Sequence, residues 1–270
     1  MITSEKITQT AARLAARARK ILPPERAILL ECAFEGEGEP AAARELERMI
    51  ARFNRCAASS ETLEDAPQGC VVFLDVGEGA DAVLDLTSEG FEEAIRRALE
   101  LSAPPEPASG TAAEPELAVY VRRVPGDTVA LTLAPVGADF LVTAGECDPA
   151  FCPGGASFVT ELAELVTQST GDALIPLAPL ALGVGIADEL EAARELAYRA
   201  LFRPAGRHAS DPTVAEAERR LTATINREGP GAFGRGGGHT ALTTAIERDG
   251  EGWLAVAIGG PFTSYAAELL

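Results

Sequence analysis

The chain has 270 residues, 47% hydrophobic and 24% charged, which leaves room for a full core in one large domain or two small ones; no apolar run approaches the ~20 residues a membrane-crossing helix needs. With 23 Lys and Arg against 41 Asp and Glu, the formal charge is −18, and no basic stripe offsets it, which argues against nucleic acid and anionic membranes as partners. Five scattered cysteines (Cys32, Cys56, Cys70, Cys147, Cys152) do not make a disulfide framework, and two histidines, His208 and His239, are too few for a multi-histidine metal site. The opening Met1-Ile2-Thr3-Ser4-Glu5-Lys6 lacks the basic-then-apolar layout of a signal peptide, so a cytoplasmic chain is expected.

Thr3 to Leu22 reads as an amphipathic helix, with Ile7, Ala11, Leu14, Ala15 and Ala18 on one face and Pro23-Pro24 stopping it. Helices are predicted from Pro24 to Phe34 and from Ala41 to Ala57, the latter carrying Leu46, Met49, Ile50 and Phe53 on one side. Cys70 to Val76 reads as a buried strand and Phe91 to Leu101 as a helix. Ser102 to Pro115 is rich in Pro, Ala, Ser and Gly and reads as a linker. Leu117–Val124 and Thr128–Leu133 flank Pro125-Gly126-Asp127, which predicts a hairpin, and Asp139–Ala144 adds a strand. There follow a helix (Ser157–Gln168), a strand (Leu177–Ile186), helices Glu189–Phe202 and Pro212–Asn226, and a last strand pair, Ala241–Glu247 with Trp253–Ile258. No internal repeat is visible. These elements divide into a mostly helical part with one buried strand (1–101), a linker (102–115) and a mixed α/β part (116–270), together one domain at the level of a family.

Several motifs admit a chemical and a plain structural reading. Gly229 to Gly238 holds six glycines, but no Lys-Ser or Lys-Thr follows at phosphate-loop spacing and a helix precedes it, so it is not a phosphate loop. Its plain structural reading is a tight backbone path. Beside it His239 is a candidate general acid or base, since imidazole titrates near neutrality. Arg203 sits at a helix end, where it either forks onto a substrate carboxylate or interacts with the helix dipole. Asp188 is placed as an N-cap that would close the helix start to anions. Cys147 and Cys152 are weak metal or redox candidates, with no further ligands near them; His208, in a polar loop, is expected to face solvent.

The run Pro179-Leu180-Ala181-Leu182-Gly183-Val184-Gly185-Ile186, the segment Ala200-Leu201-Phe202-Arg203-Pro204 and Gly229 to Leu242 (GPGAFGRGGGHTAL), in this order and spacing, resemble the α-type domain of class I iron–sulfur fumarases and tartrate dehydratases. The resemblance covers nearly the whole chain and is most specific from Pro176 to Ile258. It implies an α/β fold, with an N-terminal helical part followed by mixed β-sheets flanked by helices. It implies a ligand-binding wall including Gly183, Gly185, Gly236, Gly237, Gly238 and Thr240, with His239 where the family often has lysine. In that family three cysteines hold a four-iron, four-sulfur cluster whose free iron acts as a Lewis acid on the substrate. Here Leu177 and Gly260 stand at the second and third ligand positions, and the first falls in a shortened Asp65-Ala66-Pro67-Gln68-Gly69-Cys70 segment. Cys70 belongs to the strand rather than to the ligand position.

The expectation is therefore a divergent, cluster-free fumarase/tartrate dehydratase α-like protein, a pseudoenzyme acting in binding or subunit interaction, with no metal and no cofactor. Moving Cys70 into the first ligand position returns one thiolate, still short of three; a four-iron four-sulfur cluster would be the cofactor only with a different alignment of the ligand positions as a whole. Two alternatives stay open. One is an active carbon–oxygen hydro-lyase on a small hydroxy-dicarboxylic acid, using His239 and Arg203 and a β-type partner subunit. The other is a structural homodimer with a vestigial pocket. The resemblance also implies a β-type fumarase or tartrate dehydratase subunit as partner and association into a homodimer through helices, while the charge and the lack of a long apolar run point to neither nucleic acid nor membrane.

Overall fold

In a computed structural model, residues 2–18, 48, 69–83, 88–102, 116–136, 140–148, 152–155, 157–174, 179–231, 238–260 and 263–270 are described. The helices expected at Pro24–Phe34 and Ala41–Ala57, and the linker after Ser102, lie outside these residues except for Arg48, which is helical. The chain is α/β, with two mixed sheets and helices packed on them. It divides into two compact units, Met1–Leu22 with Ile50–Ala138 and Ser264–Leu270, and Pro23–Met49 with Asp139–Thr263.

In the first unit, β1 (Gly69–Gly77) is apolar on both faces: Val72 and Leu74 are buried on one side, Val71 and Phe73 on the other. Such a strand belongs in the middle of a sheet. It stands between β2 (Glu116–Val124) and β3 (Val129–Val136), in the order β2-β1-β3-β8, with β8 at Ala266–Leu269. β2 runs parallel to β1 from Gly69↔Glu116 to Gly77↔Val124, and β3 antiparallel from Gly69↔Val136 to Val76↔Val129. The hairpin expected from Pro125-Gly126-Asp127 is thus not a hairpin, because its two strands lie on either side of β1. Residues 125–128 cross the end of β1, with the Gly77 N–H donating to Thr128 O (2.8 Å) and the Gly79 N–H to Gly126 O (2.9 Å). Two strand spacings are roughly 10 Å, within the reach of four residues. The crossing is close: a Cβ on Gly77 would lie 2.6 Å from Gly126 O, and Gly126 itself has φ +118°. Helices α1 (Ser4–Ala18) and α2 (Ser88–Ser102) bury Ile7, Leu14, Phe91 and Ile95 in one core with Val72, Leu74, Leu131 and Leu133. Each such side chain contributes roughly 1.5–3 kcal/mol on burial.

The second unit is built around β5 (Leu180–Ala187), buried at every residue. Its sheet has the order β4-β7-β5-β6, with β4 at Phe140–Glu146, β6 at Ala241–Asp249 and β7 at Trp253–Gly259. β6 is parallel to β5 and β7 antiparallel to it, so the expected last strand pair is also parted by the more apolar strand. Residues 250–252 cross the end of β5, where a Cβ on Gly250 (φ +139°) would lie 2.6 Å from Asp188 N. One face of β5 (Leu180, Leu182, Val184, Ile186) packs with Phe158, Leu162 and Val166 of α3 (Phe158–Leu174) and Ala217, Leu221 and Ile225 of α5 (Pro212–Glu228). The other face receives α4 (Leu190–Leu201).

Candidate functional site

Gly183 and Gly185 point to the same side of β5, and α4 lies directly on them. A Cβ on Gly183 would sit 2.1 Å from Ala197 O and 2.3 Å from Leu201 N; one on Gly185 would sit 2.0 Å from Ala193 O and 2.4 Å from Ala197 N. These glycines let a helix backbone touch a strand backbone, and the structure puts α4 over them. At the same end of β5, Asp188 is not the N-cap. The cap is Glu189, whose side chain makes no capping hydrogen bond. Asp188 instead accepts the Glu251 N–H at 2.8 Å, because the turn crossing β5 presents that donor one residue before the helix begins. α5, by contrast, has a working cap: Asp211 Oδ1 accepts from Thr213 N (2.7 Å) and Val214 N (3.3 Å), with Pro212 following.

Arg203 follows the C-terminus of α4, and its guanidinium turns inward. Nη2 donates to Glu218 Oε1 at 2.5 Å and to Ile246 O at 3.3 Å, while Nη1 lies 3.6 Å from Glu247. Glu218, on α5, has a fully buried side chain. Its Oε1 also accepts the Ile246 N–H (2.9 Å); its Oε2 accepts the Ala209 N–H (3.1 Å) and meets His208 Nδ1 at 2.9 Å. The carboxylate is thus met by four partners from two segments, the α4–α5 connection and β6, which is how a buried charge is tolerated. His208 is not simply solvent-facing: its ring is 40% exposed, with one nitrogen on Glu218. The signal was present in the sequence. Ala215, Glu218, Leu221 and Ile225 recur at helical spacing, so a carboxylate on that face must be buried and paired.

The glycine-rich segment lies at the opposite end of the parallel pair. Asn226, near the end of α5, clasps Ala241 at the start of β6, with Nδ2 donating to Ala241 O (3.0 Å) and Oδ1 accepting the Ala241 N–H (2.6 Å). Thr240 is buried and its Oγ1 accepts the Gly231 N–H at 2.8 Å; a Cβ on Gly229 would strike that hydroxyl. The ends of the segment are therefore tied together. Gly236 and Gly237 lie outside the described residues; Gly238 and His239 are half-buried. His239 precedes β6, whereas Arg203 contacts Ile246 and Glu247 far along it, roughly 20 Å away at the rise of a strand. The structure joins Arg203 to His208 through Glu218, and not to His239.

A sequence model of the family "Fumarate hydratase (Fumerase)" matches residues 8–259. The chain belongs to the fumarate hydratase family. Among relatives of this family member, a candidate L(+)-tartrate dehydratase subunit alpha of Methanocaldococcus jannaschii is 37% identical over 84 residues, 31% of this chain and 30% of the relative. The L(+)-tartrate dehydratase subunit alpha of Escherichia coli K12 is 39% identical over 69 residues, 26% of this chain and 23% of the relative. The chain thus spans less than a third of the length of the curated relatives it matches. Among solved structures, a cyanuric acid hydrolase from A. caulinodans aligns at 14% identity over 78% of this chain and 62% of its own, with a TM-score of 0.24, a likeness too slight to bear on the fold.

The cluster that the fumarate hydratase resemblance implies requires convergent thiolates. Cys70 is 1% exposed and part of the core beneath α1 and α2. Gly260, after β7, offers no side chain, and Leu177 lies outside the described residues, as do Cys32 and Cys56. Cys147 and Cys152 are half-buried free thiols; burial pushes the Cys147 thiol up, Asp148 and Glu251 add to it, and a backbone hydrogen bond at Gly252 works against it. Among the described residues no three His, Cys, Asp or Glu side chains converge as a metal site, so the described donor set does not fit the cluster.

Proposed function

We propose that this member of the fumarate hydratase family is a divergent, cluster-free relative of tartrate dehydratase α subunits. It acts as a binding or subunit-interaction protein, with a β-type subunit as its partner, and has no hydratase activity of its own. The observation that carries this reading is Cys70. It is the cysteine nearest a ligand position, and its thiol is sealed in an apolar core. A thiol so enclosed cannot reach a shared metal without unpacking β1. The inward ion pair of Arg203 with Glu218 supports the same reading, since the charge of that guanidinium already has a carboxylate partner inside the fold.

The test is iron and acid-labile sulfide content, with a visible spectrum, on protein purified without air. A colourless, sulfide-free protein is expected. A brown protein with about four irons per chain, the load of one four-iron cluster, would overturn the proposal. Fumarate and L(+)-tartrate are assayed in parallel. Turnover that needs an added divalent metal and disappears in His239→Ala would replace it with the hydro-lyase reading.

A further inference from the structure

We infer that the chain is two equivalent modules joined in tandem, which have exchanged their last strands. The first observation is topological. In both sheets a central strand (β1, β5) runs parallel to the strand that follows it through a helical crossover (β2, β6). In both, the next strand (β3, β7) lies antiparallel on the other side of the centre. In both, a fourth strand pairs antiparallel with that one. Strand order and all three pairing senses agree.

The second observation is local. In each sheet the connection between the second and third strands passes over the end of the central strand at backbone contact, Gly77 against Gly126 in one and Asp188 against Gly250 in the other. Pairing with the third strand starts at the corresponding place, Val76↔Val129 and Ala187↔Trp253. With these aligned, Val72 and Leu74 correspond to Gly183 and Gly185. α4 touches the strand backbone at those glycines, whereas Val72 and Leu74 fill the same positions with side chains in the core under α1 and α2. That difference in helix approach explains why no repeat is visible in the amino-acid sequence.

The third observation is the exchange. β4 follows β3 in the chain but pairs with β7, and β8 follows β7 but pairs with β3. Each sheet therefore contains a strand from both halves of the chain. A module exchanging a terminal strand with its equal is the arrangement of a strand-swapped dimer, here within one chain.

The experiment uses the full chain with a protease site inserted between Gly154 and Gly155, at an exposed turn after β4. One variant adds Thr132→Cys with Ala267→Cys, opposite each other on β3 and β8; another adds Thr143→Cys with Val256→Cys on β4 and β7. Directly opposed antiparallel residues are at disulfide distance. All five native cysteines precede Gly154, so none of them can pair across the cut among themselves, and Ala267→Cys or Val256→Cys alone is the control. After oxidation and cleavage, both double variants should run as one full-mass band on a denaturing gel, and split in two on reduction. Separation into two fragments without reduction, from protein whose circular dichroism is native, would overturn the exchange. If either variant fails to fold, Ala130→Cys with Leu269→Cys and Ala144→Cys with Ala255→Cys test the same two pairings.

Discussion

Four partners converge on Glu218, and its removal leaves the buried Arg203 guanidinium with the Ile246 carbonyl and, as counter-charge, the half-buried Glu247 at 3.6 Å. Glu218→Gln should therefore cost about 3–5 kcal/mol in urea unfolding, the usual penalty for breaking a buried pair from one side. His208→Ala, which removes only a partner that is 40% exposed, should cost under about 1 kcal/mol. Equal losses in the two variants would show that the network acts through the histidine instead. Cys147 makes a second prediction at this scale. Its thiol is held protonated above the ordinary range, chiefly by desolvation, so the native state binds that proton more tightly than the unfolded chain. The associated stability is fully present below the ordinary thiol pKa and is lost as pH rises from there through the raised native pKa. At mildly alkaline pH, iodoacetamide should label Cys147 several-fold more slowly in the native protein than in urea, with peptide mass spectrometry as the readout.

Helix α4 is held to β5 by backbone proximity, so its tolerance is set by two missing methyl groups. Gly183→Ala or Gly185→Ala places a Cβ about 2 Å from Ala197 O or Ala193 O, and the helix must lift. Each should destabilise by at least ~1–3 kcal/mol, the range for overpacking, seen as a lowered denaturation midpoint. The two helix starts should respond differently. Asp211→Ala removes a true cap and should cost ~1 kcal/mol. Asp188→Ala should leave α4 helicity unchanged and instead speed hydrogen exchange at the Glu251 amide, which donates to the Asp188 carboxylate. At this scale the sequence was legible in kind but not in neighbourhood. The apolar runs of β1 and β5 and the heptad-like spacing of α5 mark buried elements directly, and Glu218 on the buried face could have been found the same way. Pro125-Gly126-Asp127 marks a reversal of direction, but nothing local says whether the returning strand pairs at once or passes over a third one. That choice is made by β1, whose two apolar faces exclude it from an edge. The glycines of β5 enter the ligand wall through the family resemblance, and nothing local in the sequence says that the α4 backbone lies on Gly183 and Gly185.

For the whole molecule, a formal charge of −18 means that compaction brings like charges together. The surface ion pairs, such as Arg194–Glu191 and Arg219–Glu216, are exposed and contribute little. Added salt should therefore stabilise: raising sodium chloride from ~10 mM to ~0.3 M, which shortens screening from ~30 Å to well under 10 Å, should raise the melting temperature. A fall would mean that ion pairing outweighs self-repulsion. The placement of β8 has one more consequence, for the order in which the protein is built. Chains emerge from the ribosome N-terminus first and tend to fold as they appear. β4 to β7 all emerge before Ala266–Leu269, whereas β3 waits for those residues to cover its open edge. During synthesis the earlier-made sheet is thus completed after the later one. A ribosome stalled before the codons for Ala266–Leu269 would display a bare β3 edge, the kind of surface that chaperones hold.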